Sequence, residues 1–266
     1  MRPLIYVMTP VLILTIFLAS RFVTWDAVKG VDRQAQLHVQ EGTASLRSWK
    51  LPQAIKAFTR AIEIEPRYAE AYVKRGLAYY RSTQYKAAIA DYTETLKLKR
   101  YQADAYASRG DAYRSLGDLQ RAIADYSVAL KRRWSVNVMQ KRAETYFKNG
   151  DTQKTLAEYD DLIKRKPTAM AYYGRGNVYL HLSIRGNENR LKLALADLDQ
   201  AITLEPRFAS AYISRAIVYT HLGDRTLASQ DNRQATELLI DAIDKQMIDA
   251  IQKQVMQAFM KQIHAF

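Results

Sequence analysis

Apolar and polar positions recur along this chain in a helical pattern that is itself repeated. Tyr79, Tyr113, Tyr146, Tyr179 and Tyr219 follow one another at intervals of 34, 33, 33 and 40 residues. Three positions ahead of each stands a small residue, in a column that runs Gly42, Gly76, Gly110, Ala143, Gly176 and Ala216. Three more columns keep the same step: Ala54, Ala88, Ala122, Thr155, Ala194, Ala228; then Phe58, Tyr92, Tyr126, Tyr159, Leu198, Asn232; then Ala61, Thr95, Ala129, Leu162, Ala201, Ala235. The elements predicted are pairs of amphipathic helices. The small columns let the two helices of a pair approach closely, and the aromatic columns fill the space around them. One pair buries only one face, so neighbouring pairs must stack.

A charged column accompanies the apolar ones. Arg75, Arg109, Arg142, Arg175 and Arg215 directly precede the small column, and Asp91, Asp125, Glu158, Asp197 and Asp231 directly precede the aromatic column of the second helix. The first unit has Glu41 where the others have Arg and Ala57 where they have an acid. Partners that come and go together predict a salt bridge between the helices of each unit. Arginines so occupied are not an open row for an anionic ligand.

The unit Ala69 to Gln102, with Ala71-Tyr72, Gly76, Tyr79-Tyr80, Tyr85, Ala88 and Tyr92, resembles the tetratricopeptide repeat, a helix-turn-helix of 34 residues. Pro66, Pro167 and Pro206 close three units as that family expects. Six repeats are predicted, at 35–68, 69–102, 103–135, 136–168, 169–208 and 209–240. The resemblance implies an all-α fold, a right-handed superhelix (alpha-alpha solenoid), with a concave groove lined by each first helix. The groove residues expected to meet a partner are Tyr80, Arg81, Arg114, Phe147, Lys148, Tyr173, Asn177, His181, Ile217 and His221. The family's two-carboxylate clamp for chaperone tails needs Lys and Asn on adjacent turns. The corresponding pairs here are Val73 with Leu77, Ala107 with Asp111, and Gln140 with Glu144, and Asn177 stands beside Tyr173 where Lys is wanted. The insertion that lengthens the fifth repeat is expected as a turn-rich loop at 183–190.

Both ends depart from the repeat. From Pro3 to Ser20 no residue is charged, and 18 helical residues reach about 27 Å, close to the roughly 30 Å of a bilayer core. Residues 1–23 are therefore read as a single-pass transmembrane anchor followed by a linker at 24–34. A cleaved signal peptide is the rival, but cuts after Ala19, Ser20 or Ala27 would leave Phe17, Leu18 or Trp25 where a small residue is wanted. The basic head favours a bacterial inner membrane with the repeats on the periplasmic side, although the positive flank Arg21, Lys29 and Arg33 argues the other way. At the far end, residues 241–266 read as a C-terminal capping helix. Its stripe of Met247, Ile251, Val255, Phe259 and Ile263 is also suited to a partner or to a homo-oligomer.

Composition narrows the chemistry. The chain has no cysteine, which removes thiol catalysis, disulfides and thiolate metal sites. Forty Lys and Arg against 27 Asp and Glu leave a net charge of +13. Part of that excess is clustered at helix ends, in Lys97, Lys99 and Arg100, in Lys131, Arg132 and Arg133, and in Lys164, Arg165 and Lys166. These triplets read as an edge for an acidic protein or anionic lipid beyond what helix-dipole neutralisation requires. Twelve of the 18 tyrosines fall on repeat columns, which argues against a nucleic-acid platform. No phosphate loop, nucleophile elbow or paired-His motif is present, and two histidines in one column make a poor metal site. The sequence is read as a non-enzymatic scaffold without cofactor, holding a protein partner in an envelope complex. The other readings are a soluble or secreted chaperone or enzyme regulator, and a polyanion-binding module.

Overall fold

The computed structural model describes residues 33–99, 102–183 and 187–263, the last sixteen of them as backbone only. The predicted anchor and most of the linker lie outside the described residues, as do Arg100 and residues 184–186. No described helix is long and apolar enough to cross a membrane.

All regular structure among the described residues is helical. Six hairpins follow in order: α1 (33–47) with α2 (Leu51–Ile64), α3 (Ala69–Arg81) with α4 (Tyr85–Leu98), α5 (Ala103–Leu116) with α6 (Leu119–Arg132), α7 (Val136–Lys148) with α8 (Thr152–Arg165), α9 (Ala169–Leu182) with α10 (Glu188–Leu204), and α11 (Ala209–Leu222) with α12 (Arg225–Ile263). The chain divides into two compact units, one ending at Trp134 and one beginning at Ser135. Each is a stack of three hairpins in which a second helix packs against the first helix that follows it.

The apolar columns form the core as their spacing requires. Phe58, Tyr92, Tyr126, Tyr159 and Leu198 are buried, and so are the alanines of the neighbouring columns. The glycines are obligatory for this packing. A Cβ on Gly76 would stand 2.9 Å from Cε1 of Tyr92, and one on Gly42 would stand 2.6 Å from Cε1 of Phe58. Five of the turns inside the hairpins also share one conformation. Gly117, Gly150 and Gly223 take a left-handed φ there, and Trp49 and Thr83 take it without being glycine.

Five salt bridges join the two helices of a hairpin as expected. Arg75 to Asp91, Arg109 to Asp125, Arg142 to Glu158, Arg175 to Asp197 and Arg215 to Asp231 lie at 2.8, 2.8, 2.6, 2.7 and 2.8 Å. The four aspartates accept from Nε and Nη2 through separate oxygens. Glu158 is one methylene longer and offers a single oxygen to both nitrogens. The remaining Nη1 binds the preceding hairpin: Arg75 donates to Thr59, Arg109 to Thr93, Arg175 to Asp160 and Arg215 to Asp199. Tyr72 and Tyr79 flank the Arg75 guanidinium at 5.6 and 5.8 Å, and Tyr212 and Tyr219 flank that of Arg215 at 5.4 and 5.8 Å. These half-buried tyrosines are structural, as expected, but they act as cation–π walls rather than as core filling.

Two expectations are corrected. The predicted boundary at 241 falls inside one helix of 39 residues, and Ile240, Ile243 and Met247 are more than half exposed, so these turns do not cover the end of the stack. The end is closed by its composition. Ser229, Asn232 and Thr236 are exposed at register positions held by Leu195, Leu198 and Ile202 one hairpin earlier, so the last stacking face is polar and needs no lid. The loop at 183–190 is also shorter than expected, because Asn187 caps α10 by accepting from the Arg190 amide and residues 188–190 form its first turn.

Two predictions follow from this packing. Gly76→Ala drives a methyl into Tyr92 and lowers stability by about 1–3 kcal/mol, measured as a loss in the midpoint of urea unfolding. In the fourth bridge burial holds the Glu158 carboxyl above its ordinary range even with Arg142 beside it. Because the folded protein retains that proton more readily than the unfolded chain, Glu158 costs stability as pH rises through the glutamate range. Glu158→Asp restores the two-oxygen geometry and adds about 0.5–1.5 kcal/mol at pH 7, with a smaller gain at pH 4. An equal gain at both values would refute the assignment.

Candidate functional site

The second unit contains a formed pocket on the side of its first helices. Gln140, Glu144 and Phe147 reach it from α7, Met170, Tyr173, Gly174, Asn177 and Val178 from α9, and Tyr159 from α8 behind them. It encloses about 200 Å³. Phe147 is held edge-on against His181 with ring centroids 5.0 Å apart, and Tyr173 lies 4.8 Å from Phe208. Asn177 is fixed by Ser214, whose hydroxyl donates to its Oδ1 at 2.9 Å, so the Asn177 amide nitrogen is the end left to donate. Gln140 donates to Glu144 at 3.1 Å on the rim.

Tyr159 forms the floor, and its position has a local cause. In the second and third hairpins the aromatic ring lies over the glycine of its own first helix, Gly76 or Gly110. The fourth hairpin has Ala143 there, fully buried. Tyr159 packs closely on Gly174 of the next helix, where an added Cβ would stand 2.5 Å from its hydroxyl oxygen. Burial, and then the Glu144 charge, push the Tyr159 phenol well above its ordinary range, so it stays protonated at any working pH.

Of the groove residues expected from sequence, Phe147, Tyr173, Asn177 and His181 are brought together here. Ile217 is exposed on α11, as are Met170 on α9 and Ile213 on α11, which extends the apolar character of this wall. Lys148 and His221 are exposed at the ends of α7 and α11. The first-unit residues have other partners. Arg81 donates to the Leu46 carbonyl and stacks at 5.0 Å on the exposed ring of Trp49, and the Tyr80 hydroxyl lies 3.3 Å from Ser115. Arg114 sits within electrostatic reach of the Tyr126 phenol, which donates to Asp111 at 2.7 Å. These side chains brace the first unit.

The basic triplets are partly neutralised at home. Lys97 pairs with Glu94 at 2.7 Å, Arg165 with Asp161 at 2.8 Å, and Arg133 with Asp104, while Arg132 stacks on Tyr106 at 5.2 Å. Lys99, Lys131, Lys164 and Lys166 remain at the helix ends. Of the stripe expected on the C-terminal helix, Met247 has a described side chain, and Ile251, Val255, Phe259 and Ile263 lie outside the described side chains. No group of three metal-ligating side chains occurs among the described residues. Sequence reading missed Tyr159 and Gly174 as pocket residues. The signal was available in the exchange of Gly for Ala143 in one column and of Lys or Ser for Gly174 in another.

Known proteins place this geometry. Residues 50–82 match the family model for the TPR repeat, and residues 73–137 and 141–184 match a tetratricopeptide repeat model. Residues 50–137 and 141–184 carry tetratricopeptide repeats, and the same Arg–acid hairpin register continues beyond them to Asp231. No curated protein matches it. Among solved structures, a tetratricopeptide repeat protein from Parabacteroides merdae superposes with a TM-score of 0.65 at 18% identity, over 77% of this chain and 80% of that one. Pseudomonas aeruginosa pilF gives 0.63 at 15% identity, over 83% and 99%. YrrB, described as a TPR protein with an unusual peptide-binding site, gives 0.52 at 20% identity, over 71% and 96%. At these identities the likeness is one of fold.

Proposed function

We propose that this protein is a non-catalytic scaffold that holds an extended segment of a partner protein against the first helices of its second unit. The observation that carries the reading is an open pocket with aromatic walls on α7 and α9, continued by the exposed apolar residues Met170, Ile213 and Ile217. Exposed apolar surface beside a preformed cavity is the usual mark of a recognition site. YrrB, of the same fold, is described as binding peptide, which supports the same use here. The uncharged run from Pro3 to Ser20 supports tethering of the scaffold to a bacterial inner membrane, with the repeats exported to serve an envelope complex. The unpaired lysines at the helix ends would then add a second, electrostatic contact to an acidic partner or to lipid head groups.

The test is site-directed photocrosslinking in cells. A photoreactive phenylalanine analogue at Met170 is expected to give a discrete protein adduct, whereas the same group at exposed Gln200 of α10 gives none. Adducts at both positions, or at neither, overturn the groove assignment. Sodium carbonate washing of the same membranes is expected to leave the chain in the pellet, and its release overturns the anchor.

A further inference from the structure

Tyr159 is 3% exposed and lines the pocket, and its hydroxyl has no hydrogen-bond partner among the described residues. The Tyr126 hydroxyl donates to Asp111 of its own first helix, and the Tyr92 hydroxyl meets Ser108 of the next first helix. At the corresponding positions stand Glu144, whose charge raises the Tyr159 phenol, and Gly174, which has no side chain. A ligand group that hydrogen-bonds this hydroxyl gains about 0.5–1.5 kcal/mol over one of the same shape that cannot.

The cavity fixes the size of such a ligand. Its roughly 200 Å³ lies below the about 300–1,000 Å³ of drug-sized and cofactor sites, and just above the roughly 150 Å³ of an engineered cavity that takes up benzene. It holds one six-membered ring and little more. Phe147 and Tyr173 supply aromatic walls for that ring, Val178 an apolar face, and Tyr159 a polar floor. Above it, the directed Asn177 amide nitrogen offers a donor for a main-chain carbonyl.

We infer that this pocket is a tyrosine-reading site: it seats the phenol side chain of one tyrosine of an extended partner segment, ring between Phe147 and Tyr173 and hydroxyl against the hydroxyl of Tyr159. The inference rests on the scaffold reading above and names the residue by which the partner is recognised. It also gives a reason for Gly174, which leaves room for the Tyr159 ring at the base of the pocket.

The experiment uses the full chain, with the methyl groups of Met170 and Val178 followed by NMR during titration with p-cresol, the tyrosine side-chain analogue, and with toluene, which lacks the hydroxyl. The expected result is saturable shifts at both methyls, with p-cresol binding about three- to tenfold more tightly than toluene. Tyr159→Phe keeps the shape of the floor and is expected to abolish that preference. Gly174→Ser, which restores the residue of the third repeat, is expected to close the pocket to both probes. Equal binding of the two probes, a preference that survives Tyr159→Phe, or no shift with either probe overturns the tyrosine assignment. The scaffold reading is judged separately by the crosslink from Met170, which can persist when p-cresol fails to bind and can be missing when it binds.

Discussion

The structure depends on a guanidinium with three neighbours. Each repeated arginine gives two of its nitrogens to a carboxylate on the second helix of its own hairpin, and the third nitrogen of Arg75, Arg109, Arg175 and Arg215 goes to a Thr or Asp on the hairpin before. One side chain therefore sets the angle within a repeat and also ties that repeat to its predecessor. Arginine is suited to this because its donors are fixed in a planar fork and its charge does not titrate, which lysine could not supply. The tyrosines on either side shield the group from water, so the bridge is worth more than an exposed ion pair. Removing one partner alone would strand a half-buried charge, and this cost explains why the first repeat has lost both.

Much of this was legible in the sequence because a stacked fold repeats its constraints. Five apolar columns and two charged ones in phase identify the hairpin, the helix that supplies each residue, and the Arg–acid pair, since every repeat reports the same geometry again. The third donor of the arginine was not seen. Its acceptors at 59, 93, 160 and 199 vary between Thr and Asp and do not stand out as a column, although both residue types accept a hydrogen bond. The division of the chain near Trp134 leaves no mark in the column pattern either, because the columns run through it unchanged.

The ends of the stack were harder to read for a different reason. An apolar stripe after the last repeat suggested a lid, on the assumption that the final hairpin presents the same sticky face as the others. Ser229, Asn232 and Thr236 show that it does not. The capping is a matter of three substitutions on a helix already present, and so the length of α12 beyond residue 240 is not needed to protect the core. Its exposed Ile240, Ile243 and Met247 then count as surface available for contact and not as failed core.

The pocket was hidden because periodic analysis weights agreement, and a binding site in a repeat protein arises where one repeat disagrees. Ala143 taken alone is a conservative exchange in a column of small residues, and Gly174 is one more glycine among ten. Only their combination matters. Ala143 puts a methyl where Gly76 and Gly110 leave room for a ring, and Gly174 leaves room on the opposite side, where the ring of Tyr159 packs. The pair trades one close contact for another. The arginine bridges of α7 and α9 point to the second helices and take no part in this trade, which is why the inner wall could change while the stack stayed intact. Gly76→Ala combined with Ser108→Gly should reproduce the exchange in the second hairpin. If the two compensate, the double variant regains most of the stability lost by Gly76→Ala alone, whereas additive losses in a double-mutant cycle would show that the coupling between the two positions is absent.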